Sequence, residues 1–184
     1  MLTLKEELNL FYKKYNLPED GGVDDKTFGV PLPFFELKLP NYAWRKRMLH
    51  VHDLEHILNK QDTTWGGEIF IASWEIATGF WKYFPICIFP LWTVGFGLFK
   101  HPSSVYNGFL KGSHDTGIAQ IRMQRDELLK LSITDLHKLT EKKYSLSMYK
   151  FRIRLFFGAL LGLFVFLLPI ILVLGAALFY MFLL

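Results

Sequence analysis

The chain has 184 residues, of which 51% are hydrophobic, and its formal net charge is +4. All 21 basic and 17 acidic residues lie within residues 1–154, so the last 30 residues carry no charge. This distribution excludes a plain soluble domain and a disordered chain. A net charge this small, without a basic tract, also argues against a partner of the nucleic-acid class.

The first predicted element is a helix of about 12 residues, because apolar residues between Leu2 and Tyr15 recur at near-helical spacing. A loop with two adjacent glycines follows it. Three prolines within residues 27–41 then predict an extended connector, since proline fixes φ and lacks a backbone donor.

Two central helices follow the connector. The first is predicted from Tyr42 to about Asn59, with Asn41 as its N-cap. After a turn-rich break, the second is predicted from about Gly67 to Phe80.

The next segment is uncharged from Tyr83 to Phe99, and its prolines and glycines argue against a clean helix. Two interpretations stay open, a buried core segment and a membrane-dipping or lipid-contacting element. His101–Gly117 is predicted to be a loop, whereas Ile118–Leu129 and Thr134–Lys142 are predicted to be helices. No segment shows convincing period-two alternation, so no strand is predicted.

The uncharged tail predicts a membrane segment. As one helix, residues 155–184 would extend about 45 Å, which exceeds the hydrocarbon core of about 30 Å and requires a tilt or a kink. Pro169 lies near the middle and would supply the kink, although a re-entrant hairpin is the alternative. Gly158 and Gly162 form a GxxxG pair that permits close helix contact.

The predicted fold class is therefore all-α, with a helical domain over residues 1–146 and a C-terminal transmembrane anchor over residues 147–184. Six basic residues against one acidic residue, Glu141, precede the uncharged tail: Lys138, Lys142, Lys143, Lys150, Arg152 and Arg154. This bias marks the cytoplasmic flank of a membrane helix. We therefore expect a membrane protein whose bulk lies on the cytoplasmic or equivalent matrix side.

The chemistry-bearing stretch lies on the first central helix. His52 and His56 are four residues apart, so a helix places both imidazoles on one face, and Asp53 flanks that face. Eleven residues separate His56 from Glu68, enough for a turn and the start of an antiparallel helix. Two neutral imidazoles with carboxylate oxygens suit a divalent metal, zinc above iron or manganese. Glu75 shares a helix face with Glu68 and is a candidate acid or base.

Other metal proteins share parts of this pattern. His52-Asp53-Leu54-Glu55-His56 fits the H-x-x-E-H motif of a zinc hydrolase, with Glu55 as general base, but a third ligand would have to lie far away. HD-type phosphohydrolases need a further upstream histidine. Membrane-bound di-iron hydroxylases carry several histidine boxes, and this chain has one.

The run HDLEH, eleven further residues and then Glu68 resembles the H-D-x-x-H-x(11)-E signature of the coenzyme-Q-biosynthesis protein four family. Arg45-Lys46-Arg47, Gly67-Glu68-Ile69, Trp74-Glu75 and Thr78-Gly79 resemble the surroundings of that signature. The resemblance covers roughly residues 8–142, and its specific part is residues 45–79. The uncharged tail departs from the family pattern, which points to a divergent paralogue.

The resemblance implies an all-α, membrane-associated protein of ubiquinone synthesis. It implies that His52, Asp53, His56 and Glu68 bind the metal and that Arg45 and Arg47 meet an anionic group on a lipid head.

The implied reaction is oxidative C1 decarboxylation of a polyprenylated ring, a lyase activity on a polyprenyl quinone precursor or another membrane lipid. The alternative is a non-enzymatic lipid-binding scaffold for other quinone-biosynthesis proteins. A homo-oligomer is a further expected assembly.

Overall fold

The structure is a computed structural model that describes residues 1–31, 36–121, 123–142 and 146–183. Residues 32–35 of the predicted connector, Lys143 of the basic flank and the terminal Leu184 lie outside the described residues. The chain divides into two compact units. The first unit combines Met1–Thr63 with Ile118–Thr140, and the second combines Thr64–Gly117 with Glu141–Leu184.

The described residues form eight α-helices and one two-stranded sheet, so the all-α prediction is confirmed. The helices are α1 Leu4–Lys14, α2 Ala43–Asn59, α3 Trp65–Thr78, α4 Ile88–Lys100, α5 Pro102–His114, α6 Arg125–Leu128, α7 Ile133–Thr140 and α8 Met148–Leu183. The strands are β1 Thr27–Pro31 and β2 Glu36–Pro40. The predicted division at residue 146, between a helical domain and a membrane anchor, stays a prediction.

In the first unit, α1 packs on α2 with the apolar face that its sequence spacing predicts. Leu4, Leu8 and Phe11 are buried on this face. The helix begins with a capping box in which the Thr3 hydroxyl accepts from the Glu6 N–H and the Glu6 carboxylate accepts from the Thr3 N–H. The predicted first helix is therefore confirmed.

The connector differs from its prediction because β1 and β2 pair as an antiparallel sheet. Thr27 lies opposite Pro40, and Pro31 lies opposite Glu36. The backbone is extended as predicted, but the pairing was missed. Residues 27–30 and 36–39 do alternate between polar or small residues and apolar ones, but each run has only four residues and ends at a proline, so the prolines favoured an unpaired connector.

The N-cap of α2 also differs from its prediction. Tyr42, not Asn41, is the N-cap, and it makes no side-chain capping bond. The buried Asn41 side chain instead donates to the carbonyl oxygens of Gly22 and Asp25, at 2.9 and 3.0 Å. These bonds tie the loop before β1 to the start of α2. The oxygen of the same amide, which a cap would use, accepts from the Arg45 guanidinium instead.

In the second unit, α3 packs against both α4 and α5. The predictions for α4 and α5 were wrong, because their prolines and glycines were treated as helix breakers. Pro90 and Pro102 lie in first turns, where a backbone N–H has no partner within the helix. The glycines are contact positions instead: a Cβ on Gly97 would lie 2.5 Å from Ile69, and one on Gly112 would lie 2.7 Å from a backbone carbonyl of α3.

A buried polar network joins α3 to the end of α5. Asp115 accepts from the Trp74 indole N–H at 2.8 Å and from the Lys111 ammonium at 2.6 Å. Both Trp74 and Asp115 are buried. A buried carboxylate is costly unless donors pair with it, and here both donors meet the same oxygen, Oδ2.

The prediction of one helix over Ile118–Leu129 was wrong. The chain forms a 3₁₀ turn at Ile118–Gln120 and then the short α6. Ile118 and Leu128 are buried, but the described residues between them are half-buried or exposed. Without a continuous buried stripe, a long helix here lacks the packing that stabilises it. The predicted helix after it is confirmed as α7, where the Ser132 hydroxyl accepts from the Asp135 N–H.

Helix α8 runs without interruption through Pro169 and is long and apolar enough to cross a membrane. This confirms one continuous helix over the hairpin alternative. Its GxxxG pair packs within the unit, because Gly158 lies against Phe109 of α5 and Gly162 lies against α4. A Cβ on Gly162 would stand 3.0 Å from the carbonyl oxygen of Leu91.

Candidate functional site

The two predicted histidines meet on α2 in the first unit. The Nε2 atoms of His52 and His56 are 3.3 Å apart. Two nitrogens bound tetrahedrally to one zinc ion at about 2.05 Å would lie about 3.3 Å apart. The helical spacing alone therefore gives the pair a separation that fits two ligands of one ion.

Packing holds this pair in place. His56 is 1% exposed, and its ring lies 5.8 Å from the ring of Phe11, which α1 supplies. His52 is half-buried on the preceding turn. An imidazole held by an aromatic wall loses little side-chain entropy on binding a ligand, so the arrangement is preorganised.

Asp53 is buried beside the histidines and has a partner that the sequence prediction missed. The Tyr12 hydroxyl donates to Asp53 Oδ2 at 2.9 Å. Burial raises the pKa of Tyr12, and the charge of Asp53 raises it further. A Cβ on Gly21, which has φ of +72°, would lie 2.7 Å from the Tyr12 hydroxyl, so the glycine loop closes over this bond.

Tyr12 could have been found from the sequence only by knowing how α1 packs on α2, because 41 residues separate it from Asp53. The hydroxyl helps to fix the orientation of the Asp53 carboxylate. Partners of this kind orient metal ligands and tune their basicity.

The two predicted arginines point to different surroundings. Arg45 donates to Asn41 at 2.9 Å, and its guanidinium lies 3.7 Å from the centre of the Phe28 ring. Burial lowers the pKa of Arg45. Arg47 is exposed and donates to the Ala43 carbonyl. Of the two, Arg47 has the accessible guanidinium, and Arg45 joins α2 to β1.

The neighbouring His50 differs from the predicted ligands. Burial lowers its pKa to about 4, with a smaller contribution from the positive charge of Arg125. The imidazole is therefore neutral at physiological pH. The sequence placed it off the face that His52 and His56 share, and nothing in its surroundings adds it to the candidate ligands.

The two predicted glutamates lie on α3 in the second unit. Glu68 is in the first turn, half-buried, and its N–H donates to the Thr64 carbonyl at 2.8 Å. Glu75 lies two turns further along and is buried. The spacing of seven residues puts both carboxylates on one side of α3, as predicted.

These histidine and glutamate side chains are groups that could hold a metal ion. Imidazole nitrogen and carboxylate oxygen form a mixed donor set that suits zinc and also iron or manganese. The prediction that histidine and glutamate side chains able to hold a metal ion are present is confirmed, whereas the ligand set with Asp53 and the identity of the ion stay predictions.

Comparison of the chain with protein-family models, with curated proteins and with solved structures gives no match. Any function proposed for the chain must therefore rest on the side chains described above and on the spacing of its sequence motif.

Proposed function

We propose that the protein is a membrane-anchored, metal-dependent enzyme that acts on the ring of a polyprenylated quinone precursor by oxidative C1 decarboxylation. His52, Asp53, His56 and Glu68 would hold the divalent ion. The observation that carries the proposal is the 3.3 Å separation of the His52 and His56 Nε2 atoms within the H-D-x-x-H-x(11)-E signature.

The donor set supports a divalent ion rather than a structural ion pair. Two imidazoles and two carboxylates would offset the charge of a divalent ion, and both donor types suit zinc, iron or manganese. When bound, such an ion would supply Lewis acidity or oxygen activation at the ring.

The residues of this chain would serve the other steps. Arg47, exposed on α2, offers two parallel N–H donors for a carboxylate on the ring. Glu75 is buried on an apolar helix, where a carboxyl group can hold or release a proton near the reacting ring. Tyr12 would keep the Asp53 carboxylate oriented.

The uncharged α8 supports a substrate that itself lies in the bilayer. Moving an isoprenoid chain into water costs about 0.8 kcal/mol for each CH₂ group. An enzyme that is fixed in the membrane can act on the polar head while the chain stays in hydrocarbon. This reasoning favours a membrane lipid as substrate and the cytoplasmic or matrix side for the histidine-bearing unit.

The test is a conversion assay with the full chain in lipid nanodiscs and a synthetic polyprenylated hydroxybenzoate as substrate. The reaction breaks the bond between C1 and the carboxyl group, which leaves as carbon dioxide, and places one oxygen atom of dioxygen on C1 as a hydroxyl. The other oxygen atom becomes water with two electrons and two protons, so the assay contains air-saturated buffer and ascorbate as the electron donor. We expect both products from the wild type, with Glu75→Gln and Glu68→Gln at least tenfold slower. Glu19→Gln, an exposed carboxylate in the first unit, serves as the matched control. Wild-type protein that binds the substrate without converting it would overturn the enzymatic proposal and favour the lipid-binding scaffold.

A further inference from the structure

One side of the first half of α8 is exposed, although the other side packs on α4 and α5. Its exposed apolar side chains form a band between the last charged residue, Arg154, and Pro169: Phe156, Phe157, Leu160, Leu161 and Phe164. If the membrane boundary lay near Pro169, all of these side chains would face water. A boundary near Arg154 places them in hydrocarbon and leaves the arginine at the headgroups.

Helix α4 packs on this same half of α8. Gly95 and Gly162 bring the two backbones together, and the ring of Phe166 lies 5.4 to 6.1 Å from the rings of Trp92, Phe96 and Phe99. Gly162 is eight residues beyond Arg154, which corresponds to about 12 Å along the helix. With the boundary at Arg154, the contact with α4 lies within one leaflet, since half of the hydrocarbon core is about 15 Å.

The composition of α4 fits that depth. Residues 83–99 carry no charge, and Lys82 and Lys100 bracket them. The large apolar side chains at both ends of the segment are exposed, Phe84 at 79% and Phe99 at 68%. At 13 residues α4 is about 20 Å long, too short to cross the bilayer. Lys82, which lies before α4, and Lys100, its last residue, must therefore lie at the same surface.

We infer that α4 is a second membrane element, immersed in one leaflet beside α8, with Phe84 and Phe99 in contact with lipid. The inference rests on the membrane anchoring proposed above. It adds α4 as a second attachment, which enters the bilayer from one surface and returns to that same surface. Lys82 and Lys100 reach the headgroups by extending their side chains along the hydrocarbon. The bilayer is the partner that fits this surface, because α4 packs on the part of α8 whose exposed apolar side chains already require hydrocarbon.

The test uses the full chain in vesicles of phosphatidylcholine and phosphatidylglycerol. Cys87, the single cysteine, is replaced by alanine, and a spin label is attached to Phe84→Cys, Phe99→Cys or Leu160→Cys. Two reagents that collide with the spin label report its surroundings. Molecular oxygen concentrates in hydrocarbon, whereas a polar nickel chelate stays in water. We expect collisions with oxygen to exceed those with the nickel chelate at all three sites.

Two control sites make the outcome specific. Leu174→Cys, exposed on the second half of α8, reports whether the anchor is in the membrane at all, and Leu10→Cys, exposed on α1, reports water. Lipid contact at Leu174 with water contact at Phe84 and Phe99 would overturn the inference and leave the anchor standing. Water contact at Leu174 would overturn both. Labels at Phe84 and Phe99 that are shielded from both reagents would indicate a second copy on this surface and would also overturn it.

Discussion

The two units differ in how they use charge. The first contains 26 of the 38 charged side chains, with equal numbers of both signs, whereas the second contains 12 and accounts for the whole net charge of +4. The histidine pair and the Tyr12–Asp53 bond lie in the first unit. The second is built from glycine and aromatic contacts among long apolar helices. The histidine pair and the helix that is apolar enough to cross a membrane therefore belong to different units, whereas the candidate residues Glu68 and Glu75 belong to the same unit as that helix.

The largest expected effect on stability comes from removing Asp115, the buried carboxylate of the second unit. Asp115→Ala should lower the free energy of unfolding by about 3 kcal/mol, because the Trp74 indole N–H would be left buried without an acceptor. Denaturant unfolding in detergent micelles measures the change. Asp126→Ala, at an exposed site, is the control. An equal loss of unfolding free energy in both variants would contradict a stabilising role for the Trp74–Asp115 hydrogen bond.

A smaller loss of stability is expected when a glycine at a helix contact of the second unit is enlarged. Gly162→Ala should cost about 2 kcal/mol, since the added Cβ meets Val94 at 2.9 Å and the Leu91 carbonyl at 3.0 Å. Gly175→Ala lies on the same helix with nothing within 4 Å and should be neutral or slightly stabilising. Thermal unfolding of both variants in detergent compares them. Indistinguishable melting temperatures would mean that α8 does not pack on α4 as described.

In the first unit, Tyr12→Phe removes the hydroxyl that donates to Asp53. We expect the free energy of unfolding to fall by about 1.5 kcal/mol, because the buried Asp53 carboxylate would lose the hydrogen bond that it accepts from Tyr12. Metal affinity should fall roughly tenfold, as it does when a partner of a metal ligand is removed. Tyr15→Phe on the same helix is the control for both measurements. Unchanged affinity in Tyr12→Phe would remove Asp53 from the ligand set.

The smallest effect is expected at the exposed start of α1. Thr3→Ala should cost about 1 kcal/mol at neutral pH, because the helix loses its capping box. Hydrogen bonds from the backbone and side chain of Thr3 lower the pKa of Glu6, so the contribution of Glu6 is present above its unfolded pKa of about 4.5 and is lost as the pH falls through the lowered value.

Unfolding of the wild type and Thr3→Ala at pH 7 and near pH 3 measures this dependence, with the exposed Thr134→Ala as control. The difference between wild type and Thr3→Ala should narrow at low pH. A difference that is constant with pH would argue against the reciprocal bond to Glu6.

The sequence predicted the elements whose signals are local. Apolar periodicity located α1, and the absence of charge located α8. Gly95 and Gly108 were misread as loop signals because a glycine at a helix contact and a glycine in a loop look alike until the neighbouring helix is known. The β1–β2 sheet was missed because each strand alternates over only four residues and then ends at a proline.

The candidate site divides in the same way. The spacing of His52 and His56 predicts their meeting, since four residues make one turn of a helix. Tyr12 and the burial of Arg45 depend on packing between distant segments, which no local pattern records. Sequence reasoning therefore found the candidate ligands but not the side chains that orient them.

The most direct measurement for the central claim is the metal content of the full chain, purified in detergent and analysed by inductively coupled plasma mass spectrometry. We predict about one divalent ion per wild-type chain and for His137→Ala, an exposed histidine on α7. The double variant His52→Ala/His56→Ala should lose it while keeping its helical circular dichroism. Equal metal content in a folded double variant would contradict the account.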